Sequence, residues 1–446
     1  MANRESKRRL LALFSLFLAP LSSALGADLL EIYRLAQSAD TQYAAARAAW
    51  AASQEKLPQG LAGLLPSATV NVNVQNSERD TRSATTGTVV PGRSSSSASA
   101  SVNQPLYRPQ SYAAYEQSKT QVAQADAVLA QAAQDLILRV AQAYFDVLLA
   151  QDTVAFAQAQ LTAIGQQLEQ AKRNFEVGTA TITDTHEAQS RYDLTTSVEI
   201  AARNDLEIRK RQLELLIGRA APGLSPLGTR FALRQPAPDN MERWALDALE
   251  NNLQVRINRE GLNFAAQEIG RNRAGHLPTV DAFATYSDQN NNSSSVGLPG
   301  LGTDNNRVVG VQLAIPLYRG GFTSSLVREA VANEDRARQD LENARRNAEL
   351  TARQTFLGVT SGIAQVRALE AALVSSQSSL DSTRLGQEVG VRTQIDVLNA
   401  QQQLSQTRRD LAQAKYNYIL ALLRLRSSAG RLTEQDLGTV NEWLDR

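Results

Sequence analysis

Residues 117–178 read QSKTQVAQADAVLAQAAQDLILRVAQAYFDVLLAQDTVAFAQAQLTAIGQQLEQAKRNFEVG. Steps of seven from Val122 meet Leu129, Leu136, Ala143, Ala150, Ala157, Ile164 and Ala171. A second row, Val140, Val147, Val154, Leu161, Leu168 and Phe175, runs beside it. Alternating spacings of three and four make the seam of a coiled coil, and a strict seven-residue repeat implies a left-handed supercoil. No proline lies between Pro109 and Gly178, and Gly165 is the one glycine inside. The pattern predicts an unbroken helix of about 65 residues, roughly 100 Å long at 1.5 Å per residue. That length suits an elongated body rather than a compact domain.

Composition agrees. The 446 residues are 43% hydrophobic, 20% charged and 5% aromatic, and 46 Lys+Arg nearly balance 45 Asp+Glu. No basic excess argues for a nucleic-acid partner. Ala and Gln crowd the helical parts, as thin, closely packed helices require. With no cysteine, disulfides, thiolate chemistry, Cys-bound metals and an N-terminal lipid-anchor cysteine are excluded. His186 and His276 stand far apart, so no metal or cofactor is expected.

Residues 1–26 read as a secretory signal. Arg4, Lys7, Arg8 and Arg9 precede the apolar run Leu10 to Leu18, and Ala24-Leu25-Gly26 fits small-residue cleavage. No later run approaches 18 apolar residues, so a membrane would have to be crossed by strands.

Helix is expected from Ala27 to about Gly60. Then Val70, Val72 and Val74 alternate with Asn71, Asn73 and Gln75. After a hydrophilic loop, Ser77 to Ser97, alternation resumes at Ala98, Ala100 and Val102 and ends at Pro105-Leu106-Tyr107-Arg108. The long helix follows, then another from about Thr183 to Ile217. Gly218 to Asn240 holds four prolines and reads as irregular.

The chain then repeats itself. An offset of 212 carries Leu65-Pro66 onto Leu277-Pro278, Glu176-Val177-Gly178 onto Glu388-Val389-Gly390, and Gly218-Arg219 onto Gly430-Arg431. An offset of 211 carries Pro105-Leu106-Tyr107-Arg108 onto Pro316-Leu317-Tyr318-Arg319. A second hairpin shows in Val280, Ala282, Ala284 and Tyr286, and in Val309, Val311, Leu313 and Ile315, around the polar loop Asp288 to Asn306. In the second long helix, Arg319 to Glu388, the best apolar seam takes another phase, through Ala352, Phe356, Val359, Ile363, Val366 and Leu373. The organisation expected is a signal peptide (1–26) and a first repeat (27–219) with a β-hairpin over 66–106 and a helix hairpin over 108–218. A linker or equatorial segment (220–240) leads to a second repeat (241–431) with a β-hairpin over 278–317 and a helix hairpin over 319–430. An equatorial tail (432–446) closes the chain.

The fold class expected is therefore mostly α with a small β part: four strands per protomer, of about 9–11 residues each, and long coiled-coil helices. One strand face is apolar and the other polar, as between lipid and a watery lumen. Four strands cannot close, and an open edge in lipid leaves unpaired backbone groups that cost several kcal/mol each. Spanning therefore requires oligomerisation. Three copies give a twelve-stranded β-barrel above a twelve-helix α-barrel.

These features together resemble the TolC family of outer-membrane channel-tunnels, over essentially the whole mature chain. The resemblance rests on the internal repeat, the paired Pro-Leu-Tyr-Arg strand exits, and the turns Phe175-Glu176-Val177-Gly178-Thr179 and Gln387-Glu388-Val389-Gly390-Val391. It implies a homotrimeric, non-enzymatic export duct in the outer membrane with a periplasmic tunnel. An inner-membrane ABC or RND transporter would drive it, and a periplasmic adaptor (membrane fusion protein) would dock at its tips through Val177, Gly178, Thr179, Val389, Gly390 and Val391. Tip gating links would fall on Thr183, Asp184, Gln387 and Arg392, with Asp184 and Arg392 an ion pair. Gln387 stands where the family has a tyrosine. A pore constriction would fall on Asp396 and on Asn399, which replaces a second acidic residue. The cargo is protein, by type I secretion, or small molecules, by tripartite efflux; the missing lipid-anchor cysteine leans toward secretion. The rival from another class is a periplasmic coiled-coil adaptor or scaffold, which would show one helical hairpin flanked by β-rich domains. An enzyme is the weakest reading, because no nucleophile–base constellation or phosphate loop is present.

Overall fold

The computed structural model describes residues 26–77, 81–82, 89–90, 93–292 and 302–445. The expected signal peptide, apart from its last residue, lies outside them, as do the centres of both polar loops. Three helices open the chain, α1 (Leu29–Ala39), α2 (Thr41–Gln54) and α3 (Lys56–Ala62), where the sequence suggested one. The break falls at buried Asp40. Its extended backbone lets the carboxylate cap α2 at the Tyr43 N–H, and Arg139 pairs with it at 3.0 Å.

β1 (Ser67–Ser77), the short pair β2 (Thr81–Arg82) and β3 (Val89–Val90), and β4 (Arg93–Tyr107) follow. Then come α4 (Pro109–Glu176) and α5 (Ile182–Ile217). The second half gives α6 (Met241–Asn251), α7 (Leu253–Arg273), β5 (Thr279–Asn292), β6 (Gly302–Ala314), α8 (Phe322–Glu388), α9 (Gln394–Ser428) and α10 (Glu434–Asn441). α4 is one helix of 68 residues, as the seam required, and Leu136, Val140, Val147, Val154, Ala157, Ile164, Leu168 and Ala171 are buried along it. In α8 the alternative seam is the packed one: Ala352, Phe356, Val359, Ile363 and Val366 are buried. α8 begins at Phe322 rather than Arg319, because Gly320 and Gly321 hold left-handed backbone, φ 59° and 80°. It also contains an 18-residue window of mean hydropathy 1.2. Only 17% of that window is buried within the protomer.

The four long strands form one antiparallel sheet in the order β1-β4-β5-β6. β1, at 11 residues, has the length expected, while β4, β5 and β6, at 15, 14 and 13, exceed it. The ladder runs on into the polar stretches, with Ser94–Ser97 opposite Gln289–Asn292. Backbone hydrogen bonds need no apolar face once both faces meet water, so the end of alternation did not mark the end of pairing. The repeat governs register as well as sequence. Ser67 stands opposite Asn103 and Thr279 opposite Ala314, as the 212 and 211 offsets demand. Cross-strand rows put Ala68, Val102, Ala284 and Val309 on one face, and Asn71, Ser99, Ser287 and Asn306 on the other. Phe283 on the polar face lies over Gly310 across the ladder, where a Cβ would come within 2.9 Å of the ring.

The helical body continues from the end of the sheet where β4 leads into α4 and β6 into α8. Toward the sheet, α4 lies against α2 through Trp50–Asp126 and against α7 through Gln117–Glu268 and Thr120–Gln267. Farther along it meets α5 and α9, where the Tyr416 hydroxyl donates to Asp152 at 2.7 Å. The largest core lies midway. There α1, residues 224–233 and the C-terminal segment wrap the long helices. Tyr144 donates to the Ser225 carbonyl at 2.7 Å, Phe145 stacks on Tyr416, and Phe231 meets Trp443 edge-on.

Candidate functional site

At the far ends of the long helices, two turns share one backbone design. In the first, Val177 N–H donates to the Arg173 carbonyl and Gly178 N–H to Phe175, while Thr179 and Ala180 both donate to Asn174. In the second, Val389 donates to Leu385, Gly390 to Gln387, and Val391 and Arg392 both to Gly386. Gly178 and Gly390 take φ 78° alike, the left-handed conformation that closes a helix and that glycine adopts without a Cβ penalty. The turn therefore leaves Val177, Val389 and Val391 standing in solvent, Val177 at 72% exposure.

Each turn feeds a capping box. Thr181 Oγ1 accepts from the Asp184 N–H, and Asp184 Oδ2 accepts from Thr181 N–H and hydroxyl at 3.0 and 2.8 Å. Thr393 and Asp396 repeat the arrangement at 2.9 Å each. The Thr393 N–H and hydroxyl hold the Asp396 carboxyl below the usual carboxylate range, with the Arg392 charge a smaller contributor. The second tip thus carries a fixed negative charge. Behind the boxes, Leu168, Ala171 and Ala188 pack in the first hairpin and Leu380, Val397 and Leu404 in the second.

The residues expected to link the tips are placed unequally. Asp184 is engaged by Thr181, and among the described residues no ion pair joins it to Arg392. Arg392 instead folds over Gly386, where a Cβ would come within 2.7 Å of its Cγ. At the matching positions of the first tip stand Asn174 and Ala180, so bulk is exchanged between the two sites. Gln387 donates to Gln394 inside its own hairpin. Thr183 is exposed on the first turn of α5. Asn399 is not idle: Arg191 of α5 donates to it at 3.2 Å and to Gln402 at 3.0 Å, bridging the two hairpins. Sequence reading passed over Arg191. The Thr-x-x-Asp spacing at 181–184 and 393–396 was visible as a capping box, and it explains both aspartates before any gate is invoked.

The sheet supplies the other half of the site. β1 and β6 are its edges, and Val70, Val72, Val74, Val309, Val311 and Leu313 are all exposed, Val309 at 84%. On α8, Leu350, Leu357, Val374 and Leu385 are exposed as well. Soluble monomers seldom leave such contiguous apolar surface bare.

The sequence profile described as "Outer membrane efflux protein" matches residues 32–219 and again 244–431. The chain is 35% identical over 443 residues to outer membrane protein TolC of Vibrio cholerae, covering 98% of this chain and 99% of that one. It is 33% identical over 440 residues to the alkaline protease secretion protein AprF of Pseudomonas aeruginosa, covering 97% and 91%. Among solved structures, CusC superposes with a TM-score of 0.77 at 17% identity over 91% of this chain and 92% of its own. The Campylobacter jejuni CmeC outer membrane channel gives 0.77 at 16% identity over 94% and 90%.

Proposed function

The chain belongs to the outer membrane efflux protein family, and from that membership we propose that three copies close into one continuous export duct through the outer membrane and periplasm. The observation that carries this reading is the pair of open edges. Strand β6 and helix α8 end one side of the protomer, and β1 ends the other with the register already set by the repeat. Three such units close a twelve-stranded barrel with the apolar rows toward lipid and the Asn/Ser rows toward water. The chain holds no energy source of its own in this reading. An inner-membrane ABC or RND pump drives transport, and a periplasmic adaptor grips Val177, Gly178, Thr179, Val389, Gly390 and Val391.

The cargo is protein by type I secretion or small molecules by efflux; AprF is named for protease secretion, and the family description names efflux. At the tip, Asp396 contributes one carboxylate per protomer to a cation-preferring constriction, with Asn399 beside it as a neutral position. Arg191, Asp184 and Arg392 hold the narrowed state, with Arg392 acting across subunits. Reconstitution in planar bilayers tests this. The wild type should conduct weakly and prefer cations, and Arg191→Ala with Arg392→Ser should raise single-channel conductance. Unchanged conductance in the double variant would remove the gate assignment, and a chain that inserts without conducting would remove the duct.

A further inference from the structure

We propose that the start of α8 binds the phosphate of a phospholipid headgroup at the periplasmic rim of the barrel. This rests on the trimeric-barrel reading, which sets the depth of the site in the membrane. The lipid-facing row Val309, Val311, Leu313 and Ile315 runs on into Leu317 and Tyr318, which are 92% and 86% exposed. An exposed leucine and tyrosine at the end of an apolar band are what the acyl–headgroup boundary favours. Immediately beside them lies a cavity of about 80 Å³, lined by His276, Tyr318, Arg319, Gly321, Thr323 and Ser324, with no carboxylate in its wall.

Two independent features point to an anion there. The first is the helix end itself. α8 is 67 residues long and its N-cap, Gly321, has no side chain to cap it; the Phe322 N–H turns back to the Arg319 carbonyl, while Thr323 and Ser324 of the first turn line the cavity, so the positive end of the dipole lies at its wall. The second is Thr323. It is only 4% exposed and lines the cavity, yet its hydroxyl has no hydrogen-bond partner among the described residues. A hydroxyl open to the cavity is free to take a partner there, and a phosphate oxygen would supply one.

Arg319 supplies the charge. Its counterpart in the first repeat, Arg108, is spent on Asp281 of the next strand, with both contacts at 2.9 Å. By the repeat, Arg319 faces the strand that follows β6, which in the closed barrel is β1 of the neighbouring copy. The position matching Asp281 there is Thr69. Arg319 has no carboxylate partner among the described residues, and closure brings it none. The second repeat also replaces Pro109 and Gln110 with Gly320 and Gly321, which bares the backbone where the first repeat carries a ring and a side chain.

Native mass spectrometry of the intact protein in detergent tests the site. The probes are dioleoyl phosphatidylglycerol, dioleoylglycerol lacking the phosphate, and inorganic phosphate. The expected result is one phosphatidylglycerol retained per protomer, little dioleoylglycerol, and no displacement by millimolar inorganic phosphate. Arg319→Gln and Thr323→Val should each weaken retention, the arginine variant by about tenfold. Arg328→Gln, farther along α8, should retain lipid as the wild type does. Equal retention of dioleoylglycerol, or undiminished retention in both Arg319→Gln and Thr323→Val, overturns the proposal. Displacement by inorganic phosphate overturns the lipid as occupant. The same spectra report oligomeric state, so a trimer without bound lipid sinks the site alone, and a monomer sinks the reading beneath it.

Discussion

Asp152 shows how a single side chain sets a property of the whole. It sits in the mid-body core, where it accepts from the Tyr416 hydroxyl and lines a cavity of about 380 Å³ with Lys415 and Arg408. Burial pushes its carboxyl above the usual range, and the Tyr416 hydrogen bond only partly offsets that. The unfolded chain releases this proton near pH 3.9, and the fold holds it to higher pH. Stability contributed by the protonated form is therefore present at acid pH and lost as pH rises through the folded value. Asp152→Asn keeps an acceptor for Tyr416 and removes the titration. The wild-type Tm should fall relative to that of the variant as pH rises above about 4; a constant difference would contradict the assignment. The tip glycines make a second residue-scale case. At φ 78° with nothing within 4 Å, Gly178→Ala meets strain but no clash. The cost is about 1 kcal/mol, read as roughly fivefold faster amide exchange at residues 177–180. At this scale the sequence was only partly legible. The glycines stood out because a turn between helices needs positive φ. The capping role of both aspartates was missed because the threonine three residues before each was not weighed as a partner.

At the scale of elements, period was the dependable signal. A seven-residue repeat without proline gave α4 almost to the residue, and the second phase in α8 picked the side chains that pack. Alternation found all four long strands but cut three of them short. Apolar alternation marks where one face is dry, and the backbone ladder of β4 and β5 continues through their Ser and Asn ends beyond it. The break at Asp40 was hidden for a related reason. Ala-rich sequence continues across it, and the kink rests on the Asp40 cap at Tyr43 together with tertiary pairing to Arg139. The two strand faces should answer mutation differently. Val311→Arg places a cation on the apolar row and should cost about 2–4 kcal/mol, read as loss of membrane-inserted, heat-modifiable protein. Gln312→Arg, one residue along on the polar row, should insert normally. Equal tolerance of both would mean that the row containing Val309 and Val311 does not face lipid.

At the scale of the whole molecule, the repeat is what the proposed closure into a trimer builds on. The β1–β4 and β5–β6 pairings are copies, and the β4–β5 pairing joins the copies. The proposed closure adds one more junction of that kind, between β6 and the β1 of the next copy, and the sequence offsets predict its register. Val102 opposite Ala284 in the β4–β5 ladder maps to Leu313 of one copy opposite Val72 of the next. In the proposed trimer Asp396 recurs once per subunit, which is the basis of the proposed constriction at the far end. Asp396→Asn should reduce cation preference in bilayer reversal potentials, and an unaltered potential would move the constriction elsewhere. Closure across the β6–β1 junction can be read directly because the chain has no cysteine of its own. With Leu313→Cys and Val72→Cys in one chain, oxidation of intact membranes should give a reducible band at three times the monomer mass on a denaturing gel, while Leu313→Cys paired with Asn71→Cys, on the opposite face, should give little. A doubly substituted chain that inserts into the outer membrane yet runs only as monomer would contradict closure by symmetry.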